Sequence, residues 1–313
     1  MTFPAPYRAR PARRDDLDAL ILLFEARDVV DVGFVDQARD EILDDWAAPF
    51  FDLERDSVVA EATDGSLAAY GIVLALDPTV QVEAMGKVHP EHVGRGLGSA
   101  ILTEQERRAT ERLDPGVTSP LRSSVASTDA AACELFGERG YRHVRSSWLM
   151  QRPLPADDLS TADPDGVMLR AGSTADEPLV HAVVEGAFQD HFGYEPMTFE
   201  HWRRWIHRSP GYDPELTVLA FVGDRIAGVS VNFAADDGAG WVGDLGVAAE
   251  FRRRGIGSAL LGRSFAVLAA RGHHEVRLGV DTENASGATR LYLSVGMTVR
   301  RRFDRYEKQL TGA

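Results

Sequence analysis

Apolar and polar positions along the chain fall into two runs of elements that follow the same order. In the first run, residues 6–12 read as an edge strand, 15–27 as an amphipathic helix and 36–46 as a second helix. Apolar-rich runs over 57–63 and 67–76 flank Asp64-Gly65, which predicts a hairpin, and 79–88 predicts the next strand. A helix over 96–112, a strand over 121–127, a helix over 130–138 and a strand over 141–149 complete the run. The second run repeats it with a strand over 167–171, helices over 177–192 and 199–207, and a hairpin over 216–233 turned at Gly223-Asp224. A strand over 240–247, a helix over 255–271, a strand over 275–281 and a helix over 286–295 follow. Between the runs, residues 151–166 are rich in Pro, Asp and small polar residues, which is linker composition. The pattern predicts two α/β domains with mixed sheets, residues 1–150 and 167–313, joined by a linker over 151–166.

Each run carries a basic, glycine-rich turn just before a helix. Val88 leads into Gly94-Arg95-Gly96-Leu97-Gly98-Ser99, and Val247 leads into Arg252-Arg253-Arg254-Gly255-Ile256-Gly257-Ser258. The separation from the hairpin turn to the glycine turn differs by a single residue between the runs, so the repeat is one of structure as well as of motif. Such a turn lets backbone N–H groups approach a ligand and aims the positive end of a helix dipole at an anion, usually a phosphate. The spacing is neither the G-x-G-x-x-G of a dinucleotide fold nor the Gly-Lys-Ser/Thr ending of a P-loop.

Arg252-Arg-Arg-Gly255-Ile-Gly257 resembles the acetyl-CoA pyrophosphate loop of the GNAT superfamily of N-acetyltransferases. Asn284 and the Leu291-Tyr292…Gly296-Met segment, in that order after a strand, extend the resemblance. It implies two tandem GNAT acyl-CoA N-acyltransferase domains, acetyl-CoA as donor, the primary amine of a small molecule as acceptor, and direct transfer in a ternary complex. In the second domain it places the Val247 backbone N–H at the oxyanion and Arg252, Arg253, Arg254, Gly255, Ile256, Gly257 and Ser258 around the diphosphate. Tyr292 would protonate the departing sulfur. Asn284 would bind pantetheine or cap the following helix, and Asp244 would serve as general base or as a structural hydrogen-bond acceptor. Phe188, Asp190 and His191 would line an amine pocket, or would belong with Trp202 and Trp205 to the core.

The first domain departs from the family pattern. Val93 stands where Arg or Gln is expected, and Phe136 replaces the tyrosine. That half is expected to be non-catalytic, with Val88, Gly94, Arg95, Gly96, Gly98 and Ser99 either holding a second diphosphate or serving only the architecture. The layout is similar to that of the mycothiol synthase family. Three readings follow: acetylation of an unidentified amine, acetylation of a cysteinyl pseudodisaccharide, or a non-catalytic acyl-CoA sensor.

Composition narrows the classes. At 313 residues, 44% hydrophobic and 26% charged, the chain is long enough for two cores of an ordinary soluble protein. No apolar run approaches the roughly 20 residues that span a bilayer, and the first residues lack an apolar signal region, so a cytoplasmic location is expected. The single Cys133 forms no internal disulfide and no metal site is expected. A net charge of −14 argues against nucleic-acid binding and favours a cationic amine by long-range steering. Open sheet edges permit a homodimer.

Overall fold

The computed structural model describes the chain except residues 1–2, 34, 36–37, 49, 78–80, 157, 159–162, 190–193, 195, 236, 285–286 and 313. Two compact units divide it: residues 1–147 with 301–313, and residues 148–300.

The first unit opens with β1 (Arg8–Arg10), α1 (Leu17–Val32), α2 (Ala38–Ala47) and the one-turn α3 (Leu53–Asp56). The hairpin of β2 (Ser57–Glu61) and β3 (Leu67–Asp77) turns at Gly65, whose φ of +87° explains the glycine. Then come β4 (Gln81–Val88), α4 (Leu97–Arg112), β5 (Thr118–Ala126), α5 (Ala130–Glu138) and β6 (Arg142–Pro153). The sheet order is β1-β2-β3-β4-β5, antiparallel except for the parallel β4·β5 pair. Leu20, Leu23, Phe24, Ile42 and Trp46 of α1 and α2 pack on one face. Leu102 and Phe136 of α4 and α5 pack on the other.

The second unit repeats the plan with β7 (Met168–Ala171), α6 (Glu177–Phe188), α7 (Phe199–Ile206), β8 (Val218–Val222), β9 (Arg225–Ala234) and β10 (Ala239–Val247). It continues through α8 (Ile256–Ala270), β11 (Glu275–Asp281), α9 (Ala288–Ser294) and β12 (Thr298–Thr311). Strands β11-β10-β9-β8-β7 lie side by side, with β10·β11 the parallel pair. Val180, Val183, Trp202 and Ile206 fill one face, while Leu261, Phe265 and Tyr292 fill the other.

The expected domain limits need correction at both ends. Residues 301–313 belong to the first unit: β12 runs antiparallel along β5 from Phe303↔Ala126 to Thr311↔Thr118, and Tyr306 and Leu310 pack into that unit's core. Residues 151–153 are strand rather than linker, and β6 lies beside β11. Met150 is fully buried in the second unit's core, and the Arg152 guanidinium donates to the Val295 carbonyl. Periodicity names a strand but not its neighbour, because pairing is a long-range choice.

Among the described residues, no helix is long and apolar enough to cross a membrane and no cluster of His, Cys, Asp and Glu is placed to hold a metal.

Candidate active site

In the second unit, β10 and β11 pair from Ala239↔Glu275 to Trp241↔Arg277, and beyond that point β10 is held on β9. A bulge between Val242 and Asp244 marks the departure. The Ala248 amide donates to Ala227 of β9 at 2.9 Å, so by strand alternation the Val247 N–H points the other way, toward the parted side. A parted parallel pair thus leaves backbone donors and acceptors to a ligand lying between the strands.

The glycine turn follows at once. Arg252 Nε donates to the Val247 carbonyl at 3.1 Å, Arg253 has φ +62°, and Gly255 caps α8 in the left-handed conformation at φ +77°. No side chain caps this helix, so its first amides point outward as an anion seat. A Cβ on Gly257 would lie 3.0 Å from Leu291 Cδ2, which shows how closely α8 approaches α9. Arg252, Arg253, Arg254, Gly255 and Ser258 are exposed, whereas the Ile256 side chain is buried and has only its backbone to offer.

Tyr292 on α9 is 8% exposed, and burial together with the charge of Asp244 pushes its hydroxyl up to about 12. Asp244 is half-buried, and desolvation raises its carboxyl from 3.8 to about 6. The charge of Asp244 reaches Tyr292, so the fold puts within electrostatic range two groups that the sequence holds 48 positions apart. Asp244 lies opposite Val231, whose side chain packs with α6 and α7, so it faces that side of the sheet.

Asn284 is half-buried in the loop after β11, and Gly287 occupies the N-cap position of α9. Phe188 ends α6 and packs, half-buried, against the core that contains Trp202. Asp190 and His191 lie outside the described residues. Sequence reasoning missed Glu177, which is 1% exposed and bound by Arg203 Nε at 3.0 Å and His207 Nε2 at 2.8 Å, tying α6 to α7. Its position in the first turn of a helix was the available signal, but first-turn acids are usually solvated.

The first unit has the same parted strands. Its β4·β5 ladder stops at Glu83↔Arg122, and the His89 amide bonds Ala68 at 2.9 Å, turning the Val88 N–H to the open side. A cavity of about 540 Å³ fills the gap, lined by Val88, Gly94, Gly96, Gly98 and Ser99 of the turn. Gly96 caps the 16-residue α4 at φ +79°, again without a side-chain cap. Arg95 Nη1 donates to the Tyr7 hydroxyl at 3.2 Å, and that hydroxyl is 2.8 Å from His92 Nδ1.

Register shows what is different. Val88 pairs with Ala69 as Val247 pairs with Gly228, which places Met85 where the second unit has Asp244. Phe136 accepts the Tyr141 amide through its carbonyl as Tyr292 accepts that of Met297, so a ring without a hydroxyl stands in the tyrosine position.

Parted parallel strands, a turn of uncapped amides and a long helix behind it define an acyl-CoA-dependent N-acetyltransferase. The pattern of the Acetyltransferase (GNAT) family matches residues 180–297. The chain is 31% identical over 250 residues to a mycothiol acetyltransferase of Geodermatophilus obscurus, a match covering 77% of this chain and 78% of that one. A GCN5-related N-acetyltransferase from Sphaerobacter thermophilus, known from a crystal structure, superposes with a TM-score of 0.86 at 33% identity, covering 100% of this chain and 98% of that one. A tandem GNAT protein from the clavulanic acid biosynthesis pathway has the same fold at 13% identity, with a TM-score of 0.70 over 97% and 98% of the two chains. The chain belongs to the GNAT family of acetyltransferases and is a tandem member of it.

Proposed function

We propose that the second unit transfers the acetyl group of acetyl-CoA directly to the primary amine of a small molecule. The donor's diphosphate sits on the amides at Gly255 and Gly257, with Arg252 to Arg254 offsetting its charge and Ser258 adding a hydrogen bond. Asp244 takes the ammonium proton, the amine attacks the thioester carbonyl, and the Val247 N–H stabilises the oxyanion. The C–S bond then breaks, Tyr292 protonates the departing thiolate, and the second proton shed by the acylated nitrogen restores the phenol through water. A carboxyl raised to about 6 is charged at neutral pH yet close enough to neutrality to accept a proton, and a phenol raised to about 12 remains protonated. This opposed pair beside the parted strands carries the reading.

A second reading concerns the acceptor. Relatives named mycothiol acetyltransferase favour a cysteinyl pseudodisaccharide within the same chemistry. In the first unit, Val88, Gly94, Arg95, Gly96, Gly98 and Ser99 form a second coenzyme A seat without turnover, because Met85 and Phe136 supply neither base nor acid. Free-thiol release from acetyl-CoA across a panel of amines, the cysteinyl acceptor included, tests the assignment. Absence of release with every amine would leave the sensor reading in its place.

A further inference from the structure

Of the chain's 34 basic residues only Lys87 and Lys308 are lysines. One of them lies in the cavity of the first unit. Lys87 immediately precedes Val88 on β4 and pairs with Tyr70 across the ladder, as Gly246 pairs with Val229 in the second unit. At Gly246 the catalytic unit is tight against α6, since a Cβ there would lie 2.9 Å from Ala187 Cβ. In the first unit the chain places an amine at this position instead. Lys87 Nζ stands 4.4 Å from the centre of the Phe24 ring and 3.0 Å from Asp28 Oδ1, on the α1 side of the sheet.

We propose that Lys87 is an acetylation site of the protein itself, modified by acetyl-CoA bound in the first unit's cavity. The proposal rests on the reading of that cavity as a second coenzyme A seat. Lys87 Nζ takes the place of the acceptor amine: its ammonium passes one proton through the Asp28 carboxylate to water, and the nitrogen sheds its second proton to water once it is acylated. The Nζ–C amide bond forms as the C–S bond of the thioester breaks, and the Val88 N–H faces the developing oxyanion. The thiolate leaves and takes its proton from water, because Phe136 has none to give. Arg301 Nη2 lies 3.4 Å from Asp28 Oδ2, so the buried carboxylate keeps a cation beside it once Lys87 has lost its charge. The step is slow and occurs once per chain, since the product amide stays in the cavity.

Lys308 supplies an internal control: it is 30% exposed, bound to Glu106 at 3.0 Å, and is not among the residues lining the cavity. The experiment incubates the full-length protein with acetyl-CoA and no amine, then maps acetylation by tandem mass spectrometry. Expected is modification of Lys87 approaching one acetyl group per chain, with Lys308 at least about ten-fold lower, because a bound donor raises the local concentration far beyond that ratio. Tyr292→Phe should leave the Lys87 signal intact, which separates it from turnover in the second unit, while Gly96→Val, which strains the left-handed cap, should abolish it. Calorimetric stoichiometry distinguishes the two ways of failing. Two bound acetyl-CoA per chain with Lys87 unmodified would overturn self-acetylation alone, and one bound per chain would overturn the second seat and with it the proposal.

Discussion

Replacing Asp244 by asparagine should make the second unit more stable and nearly inactive at the same time. The carboxyl titrates at 3.8 in the unfolded chain and at about 6 in the folded one, and burial is the cause. The folded protein therefore holds that proton more tightly than the unfolded chain does. The destabilisation is absent below pH 3.8, grows as pH rises between the two values, and is complete above about pH 6. At about 1.4 kcal/mol per pH unit the rise corresponds to at most about 3 kcal/mol, less to the extent that solvent reaches the half-buried group. The asparagine amide is close to the carboxylate in shape and carries no charge, so Asp244→Asn should raise the unfolding temperature of the second unit at pH 8 by roughly 2–4 °C per kcal/mol recovered. Near pH 4 the gain should vanish. Turnover should fall by about 10²–10⁴, the ordinary worth of a general base. The acid limb of kcat/KM near pH 6 should disappear with the carboxylate, and the Tyr292 hydroxyl, relieved of a neighbouring negative charge, should titrate lower. Calorimetric melts at the two pH values, with kinetics across the range, read all of this. Equal stability of variant and parent at pH 8, with the acid limb still present, would refute both the desolvation argument and the base.

Tyr292→Phe should keep acetyl-CoA affinity within about two-fold and lower kcat by about 10²–10⁴, because only a proton donor is lost; calorimetry beside thiol-release kinetics separates the two effects. Gly296→Ala should destabilise the second unit by about 1–3 kcal/mol, since Gly296 has φ +76° and an added Cβ would overlap the Arg152 guanidinium; denaturant titration checks it. Ending the chain at residue 300 should expose the β5 edge and loosen the first unit, seen as faster hydrogen exchange at Leu121 and Val125, whereas an unchanged exchange pattern would contradict the pairing of β12 with β5. Gly255→Val should weaken acetyl-CoA binding by at least about ten-fold, because a β-branched residue resists the left-handed cap that turns the α8 amides outward; a binding isotherm equal to the parent's would show that the turn does not carry the diphosphate.

Local chemistry determined much of this protein before any folding. The order of elements, the hairpin turn at Gly65, the glycine cap of α8 and the helix over Ala130–Glu138 follow from patterns a few residues long, and the structure has each of them. The repeat itself was equally legible, because a turn that must expose amides tolerates few residues besides glycine. Tertiary structure decided the rest. That β12 leaves the half of the sequence it ends and completes the first unit's sheet depends on which ladder lacks a partner, and no periodicity encodes that. The same holds for Asp244, raised by burial, and Tyr292, raised by burial and by the charge of Asp244, and for Lys87, whose distance from Asp28 exists only once β4 packs on α1. Protonation and reactivity respond to the dielectric and to charges in space, and those are properties of the packed chain.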